Sequence, residues 1–189
     1  EDGNYVIKIR GRWDFSIGSS MAIVPWDSYR IEARMRFDPS VDNLHSYGLI
    51  WGGDWDDTSI SCPNEGFTSC LNHYYRLNIL WYGSSDDELR TQIKRIDYHD
   101  KDGSGRGDSL AGYADNGVNS PSGGWQDWVV ERENSGEMRI FVNNETVAKR
   151  TVSDTTYNGP NTYFGVLATS NEYSGAEPWV DWIKISPLP

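Results

Sequence analysis

The stretch SYRIEARMRF at residues 28–37 constrains the fold more than any other, because its apolar and charged side chains alternate without a break. Tyr29, Ile31, Ala33, Met35 and Phe37 fall on one side of an extended chain, and Arg30, Glu32, Arg34 and Arg36 on the other. A helix would scatter both sets around its axis, so the segment is a strand with one buried and one solvated face. The same period recurs in NYVIKIRG, YGLIWGG, YYRLNILWYG, LRTQIKRIDYH, WQDWVVERE, EMRIFVNN, ETVAKRTVS, TYFGVLATS and PWVDWIKIS, with Gly, Pro, Asn, Asp and Ser clusters between them.

Two tight turns order part of this set. VVERENSGEMRIFV turns at Asn134-Ser135-Gly136 and RIFVNNETVAK at Asn143-Asn144, residues that accept the positive φ of a hairpin. About ten to twelve strands with one-sided alternation cannot bury their apolar faces in one open sheet, so two stacked antiparallel sheets are expected. The expectation is an all-β sandwich of jelly-roll type. With no repeat, linker or low-complexity tail, residues 1–189 are read as a single domain.

Charge narrows the partners. The formal net charge of -11 repels phosphate backbones and anionic headgroups, which argues against nucleic acid and membrane surfaces. No run approaches the roughly 18 apolar residues of a membrane-spanning helix, so membrane insertion is not expected. Starting at Glu1-Asp2-Gly3, the chain shows no leader, and a secretory signal is expected to have been removed already. Cys62 and Cys70 close a short turn-rich segment, SCPNEGFTSC, and are expected to pair in an oxidising compartment. Asn144 begins the sequon NET and is the candidate glycosylation site. Together these place the chain outside the cell or on its surface.

From Gly124 onward, GGWQDWVVERENSGEMRIFVNNETVAK, GPNTYFGVLATS and EPWVDWIKI follow one another in an order that resembles the concanavalin A-like sandwiches of the laminin-G-like type. Trp125, Arg132, Asn143, Gly165, Asp181 and Trp182 occupy the positions that carry the likeness, and YRIEARMRF and YGLIWGG extend it more loosely upstream. The resemblance implies the sandwich and makes Trp125 and Trp182 core residues. It supports the fold far more than any activity.

Related glucanases on this fold carry Glu-x-Asp-x-x-Glu on one strand, which places nucleophile, orienting Asp and acid on one side of a cleft. No such motif occurs here, and His45, His73 and His99 lie in no recognised catalytic setting, so no enzyme is expected. Glycan binding is the leading expectation. Sugars are held by an aromatic plane flanked by side chains that hydrogen-bond hydroxyls. IWGGDWDD offers Trp55 with Asp54 and Asp56, and the strand at 74–82 offers Tyr74, Arg76, Asn78 and Tyr82 opposite the core-facing Tyr75, Leu77, Ile79 and Trp81.

Two further readings arise. DYHDKDGSGRGDS supplies Asp97, Asp100, Asp102 and Asp108, which together with glycine carbonyls suit the oxygen preference of Ca²⁺, although the pattern departs from an EF-hand. That makes calcium-dependent adhesion a further alternative, with the embedded Arg106-Gly107-Asp108 set aside as a chance match. The other is a self-assembling subunit of a filament, pilus or surface layer, with the strand-like EDGNYVIKIRG donated to a neighbour's sheet edge.

Overall fold

The alternation at 28–37 is met in three dimensions. Tyr29, Ile31, Ala33 and Met35 are at most 2% exposed, while Arg30, Glu32, Arg34 and Arg36 are only half-buried. The structure is a computed structural model that describes residues 5–6, 15–19, 24–36, 45–55, 71–81, 88–99, 105–119, 124–170 and 179–189. The described residues contain no helix. They form strands β1 (Tyr5–Val6), β2 (Phe15–Ser19), β3 (Tyr29–Arg36), β4 (His45–Trp55), β5 (Leu71–Trp81), β6 (Glu88–Ile96) and β7 (Tyr98–His99). After them come β8 (Gly105–Arg106), β9 (Ser109–Asn119), β10 (Gln126–Arg132), β11 (Glu137–Val142), β12 (Arg150–Ser153), β13 (Tyr163–Ser170) and β14 (Trp179–Pro187).

Two six-stranded antiparallel sheets make the sandwich. The first runs β1-β14-β3-β10-β11-β12 and the second β2-β13-β4-β5-β6-β9, with β7 and β8 pairing as a small ribbon. Between the sheets lies one apolar core built from Tyr29, Ile31 and Met35 of the first and Tyr47, Leu49, Trp51, Tyr75 and Leu77 of the second. Its buried aromatic polar tips find partners across the gap. Trp128 Nε1 donates to Tyr47 Oη at 3.2 Å, and Trp51 Nε1 meets Met138 Sδ at 3.4 Å.

The second sheet carries buried apolar residues on both faces. Ile50, Tyr74, Ile96 and Leu167 form a separate buried cluster on the face turned away from the core, with Tyr163 against it. This explains why YGLIWGG and YYRLNILW carry apolar residues at nearly every position rather than at every second one. Gly48 sits within that face, and a Cβ there would lie 1.7 Å from the Leu77 carbonyl oxygen of the paired strand, so only glycine fits this close approach.

Three expectations change. The run from 109 to 119, absent from the alternating segments, is the edge strand β9; its Ala and Gly content and its register shifts against β6 hide the alternation. ETVAKRTVS is a strand only from Arg150, because residues 145–149 complete the turn, with Glu145 N–H bonded to the Val142 carbonyl at 3.1 Å. Of the N-terminal segment expected to be donated, Tyr5 and Val6 pair within their own chain, against Val180 and Trp179.

Candidate functional site

The aspartate-rich stretch resolves around one guanidinium. Arg95 follows the core-side residues Leu89, Thr91 and Ile93 along β6, so its side chain enters the rim between the sheets. Its Nε donates to Asp97 Oδ1 at 2.7 Å, Nη1 to Asp154 Oδ2 at 2.7 Å and Nη2 to Asp108 Oδ2 at 2.6 Å. Two tyrosines close the cluster. Tyr75 Oη donates to Asp154 Oδ1 at 2.6 Å, Tyr157 Oη donates to Asp97 Oδ1 at 2.5 Å, and the His73 ring stacks on Tyr157 at 4.2 Å.

Burial acting alone would raise the Asp154 carboxyl, but bonds from Tyr75, Thr156 and Arg95 overcome it and hold the group at about 2. Asp97 is lowered against burial in the same way by Arg95 and Tyr157. Tyr75 and Tyr157 are raised, first by burial and next by the carboxylates they serve. Asp97 and Asp154 therefore stay ionised at neutral pH as the partners of Arg95.

Of the aspartates expected to hold calcium, Asp97 and Asp108 form ion pairs with Arg95, while Asp100 and Asp102 lie outside the described residues. Among the described residues no group of three or more His, Cys, Asp or Glu is arranged to hold a metal ion. Arg106-Gly107-Asp108 is bonded along β6 rather than held out from it. The Arg106 carbonyl accepts from Asp97 N–H at 2.7 Å and the Asp108 carbonyl from Arg95 N–H at 2.9 Å.

The other candidate surface is the outward face of the second sheet. Strand register sets Tyr74 beside Ile96, Arg76 beside Lys94 and Asn78 beside Gln92, with Ile50 and Gly48 of β4 across from Arg76 and Asn78. Asn78 Nδ2 donates to Gln92 Oε1 at 3.1 Å, which confirms the shared face, and Asn78 Oδ1 is buried without a hydrogen-bond partner among the described residues. Lys94 is pulled below its ordinary value, first by burial and then by Arg76. Across the bulge that register places opposite Gln92, Tyr113 of β9 is 44% exposed.

Of the expected ligand contacts, Tyr74 and Asn78 do face away from the core, yet at 0% and 4% exposure they are not open to a ligand. Burial pushes the Tyr74 hydroxyl up to about 12, with Arg76 opposing the rise. Arg76 is half-buried on the same face. Asp54 and Trp55 belong to the irregular end of β4, against His73 and Leu71, rather than to a loop. Asp56, Tyr82, Cys62 and Cys70 lie outside the described residues, and Asn144 is exposed at its turn.

Trp125 and Trp182 also depart from expectation. Trp182 is 38% exposed on the first sheet, and Trp125 packs outward, with the Arg36 guanidinium 4.6 Å from its ring and 4.5 Å from that of Trp179. The core tryptophans are instead Trp51 and Trp128. Reading missed Gln92, Lys94 and Tyr113. The first two were recoverable from alternation in LRTQIKRI, whereas Tyr113 sits in the strand whose pattern the bulge conceals.

No family model matches the chain, and no curated protein matches it. Solved structures do. A legume lectin-like domain from Entamoeba histolytica superposes with TM-score 0.65 at 14% identity, covering 99% of this chain and 85% of that one. The fold is the concanavalin A-like jelly roll. A kappa-carrageenase from Pseudoalteromonas carrageenovora, in complex with an oligotetrasaccharide of kappa-carrageenan, shares this jelly roll at TM-score 0.59 and 11% identity over 98% of this chain and 80% of its own. An immunostimulatory antigen and pseudo beta-1,3-glucanase of Mycobacterium tuberculosis matches at TM-score 0.55 and 17% identity over 98% and 75%. The expectation of no enzyme is corrected here. A carrageenase and a galactohydrolase share this jelly roll over nearly the whole chain, so lacking one strand motif is no ground for excluding an enzyme.

Proposed function

We propose that this jelly roll recognises carbohydrate through the outward face of its second sheet. The observation that carries the reading is the row of Arg76, Lys94 and Gln92 on adjacent strands, with exposed Tyr113 at its edge. Strands about 4.8 Å apart present hydrogen-bonding side chains at the spacing of hydroxyls on a sugar ring, and a tyrosine ring supplies the flat apolar partner. The lectin-like and carrageenase neighbours support the reading at the level of fold. Action outside the cell belongs to it, supported by the closely spaced Cys62 and Cys70.

A glycan array followed by titration of the best binders tests it. Tyr113→Ala and Gln92→Ala are each expected to weaken binding about tenfold with the melting temperature held. An array with no ligand, or wild-type affinity in both variants, would remove the basis for the proposal.

A further inference from the structure

Resting on the carbohydrate reading, we infer that the sugar recognised is anionic, bearing a sulfate ester or a carboxylate that sits between Arg76 and Lys94. The two cations are direct partners in the register of β5 and β6 and point to the same face. Like charges placed opposite one another across antiparallel strands oppose sheet formation, and partial burial strengthens the repulsion. Lys94 is nevertheless half-buried beside Arg76 and makes no ion pair or hydrogen bond with any described residue.

That arrangement stands out against the rest of the chain. Every other lysine or arginine with a described side chain has a partner: Arg30, Arg34, Arg95, Arg139, Lys149 and Lys184 face carboxylates, and the remainder meet carbonyls, aromatic rings or other groups. In a protein with net charge -11, acids to neutralise Lys94 are abundant, so a cation pair on this face is not a by-product of composition. Arg90 is the next cation along β6, opposite Asp115 of β9. Among the side chains described on the outward face of the second sheet there is no carboxylate. The half-buried amide of Gln92 borders the pair and suits a neutral hydroxyl of the same sugar unit. An anion would relieve the repulsion and accept from both groups in short, charge-assisted bonds.

The test titrates the full chain with three probes: a sulfated galactan tetrasaccharide, the same tetrasaccharide desulfated, and an oligogalacturonate. At least one anionic probe is expected to bind about tenfold or more tighter than the desulfated sugar, with the advantage shrinking as salt rises. The anionic probe that binds distinguishes sulfate from carboxylate. Lys94→Gln is expected to lose about tenfold on that probe and less than about twofold on the neutral one, whereas Lys94→Arg keeps the affinity. Melting of Lys94→Gln should match or exceed wild type, since repulsion is removed, and this separates recognition from a structural role. Equal affinity for charged and neutral sugars, or an unchanged affinity in Lys94→Gln, overturns the charge inference and leaves carbohydrate recognition standing. Binding of no sugar of either kind overturns both.

Discussion

Replacing Arg95 by Met tests whether the rim cluster is a clamp. The change removes the bonds to Asp97, Asp154 and Asp108 but retains an aliphatic stem of similar reach. The three contacts are unequal. Asp154 is 10% exposed and Arg95 18%, so that bond approaches the buried limit; Asp97 at 32% contributes less, and Asp108 at 68% is screened by water. Between the limits for surface and buried pairs, the expected loss is about 2–3 kcal/mol at neutral pH. For a domain of this size that lowers Tm by roughly 5–10 °C.

The sign of the pH dependence follows from the depressed carboxyls. Asp97 and Asp154 contribute stability that is complete above their unfolded values, near 3.8, and disappears as pH falls toward the folded value of Asp154, about 2. The gap between wild type and Arg95→Met is therefore widest above about pH 5 and narrows steadily below about pH 4. Urea unfolding at several pH values measures it, and Arg95→Lys, which cannot form the planar fork, should recover less than half. An equal loss in neutral and acid solution would show that Arg95 acts through packing rather than charge, and an unchanged midpoint would refute the clamp.

Further predictions concern the turns and the metal. Asn144→Gly should leave stability within about 0.5 kcal/mol, because the φ of 61° suits glycine, while Asn143→Gly should cost about 1–2 kcal/mol through loss of its bonds to Asp127 N–H and Gln126 Oε1; urea midpoints separate them. Gly136→Ala places a Cβ 2.6 Å from Thr155 Cγ2 at a φ of 92°, and a loss of about 2 kcal/mol or more is expected by the same assay. EDTA should leave Tm within about 1 °C, because Arg95 supplies the positive charge its aspartates face; a larger drop in calorimetry would support the calcium reading.

Alternation was legible wherever one strand face is buried and the other wet. It separated Ile31 from Arg30 and Tyr75 from Tyr74 correctly. It could not tell a face that meets water from one that is covered, because Tyr74 and Asn78 have the same parity whether or not something lies over them. The tryptophans expose the second limit. In WQDW, Trp125 just before β10 and Trp128 within it are three apart and so point to opposite sides, and Arg36 stabilises the outward ring where a resemblance had made it core. Asp154, remote in sequence from Asp97, was invisible as its neighbour because the contact is made only when the end of β12 folds over the rim beside β6.

Pairing is what separates Arg95 from Lys94. Arg95 has three carboxylates around it, two of which also accept from tyrosines, so its charge is met within the chain. Such a site stabilises the rim, and its perturbed groups follow from that role alone. Lys94, set beside Arg76, has the reverse character. It sets like charges side by side on a face where the described side chains offer no carboxylate, so the protein carries there a local cost that an anion removes. The first site holds the strongly perturbed groups, yet Lys94 has the unmet demand, and unmet demand is what a binding site consists of.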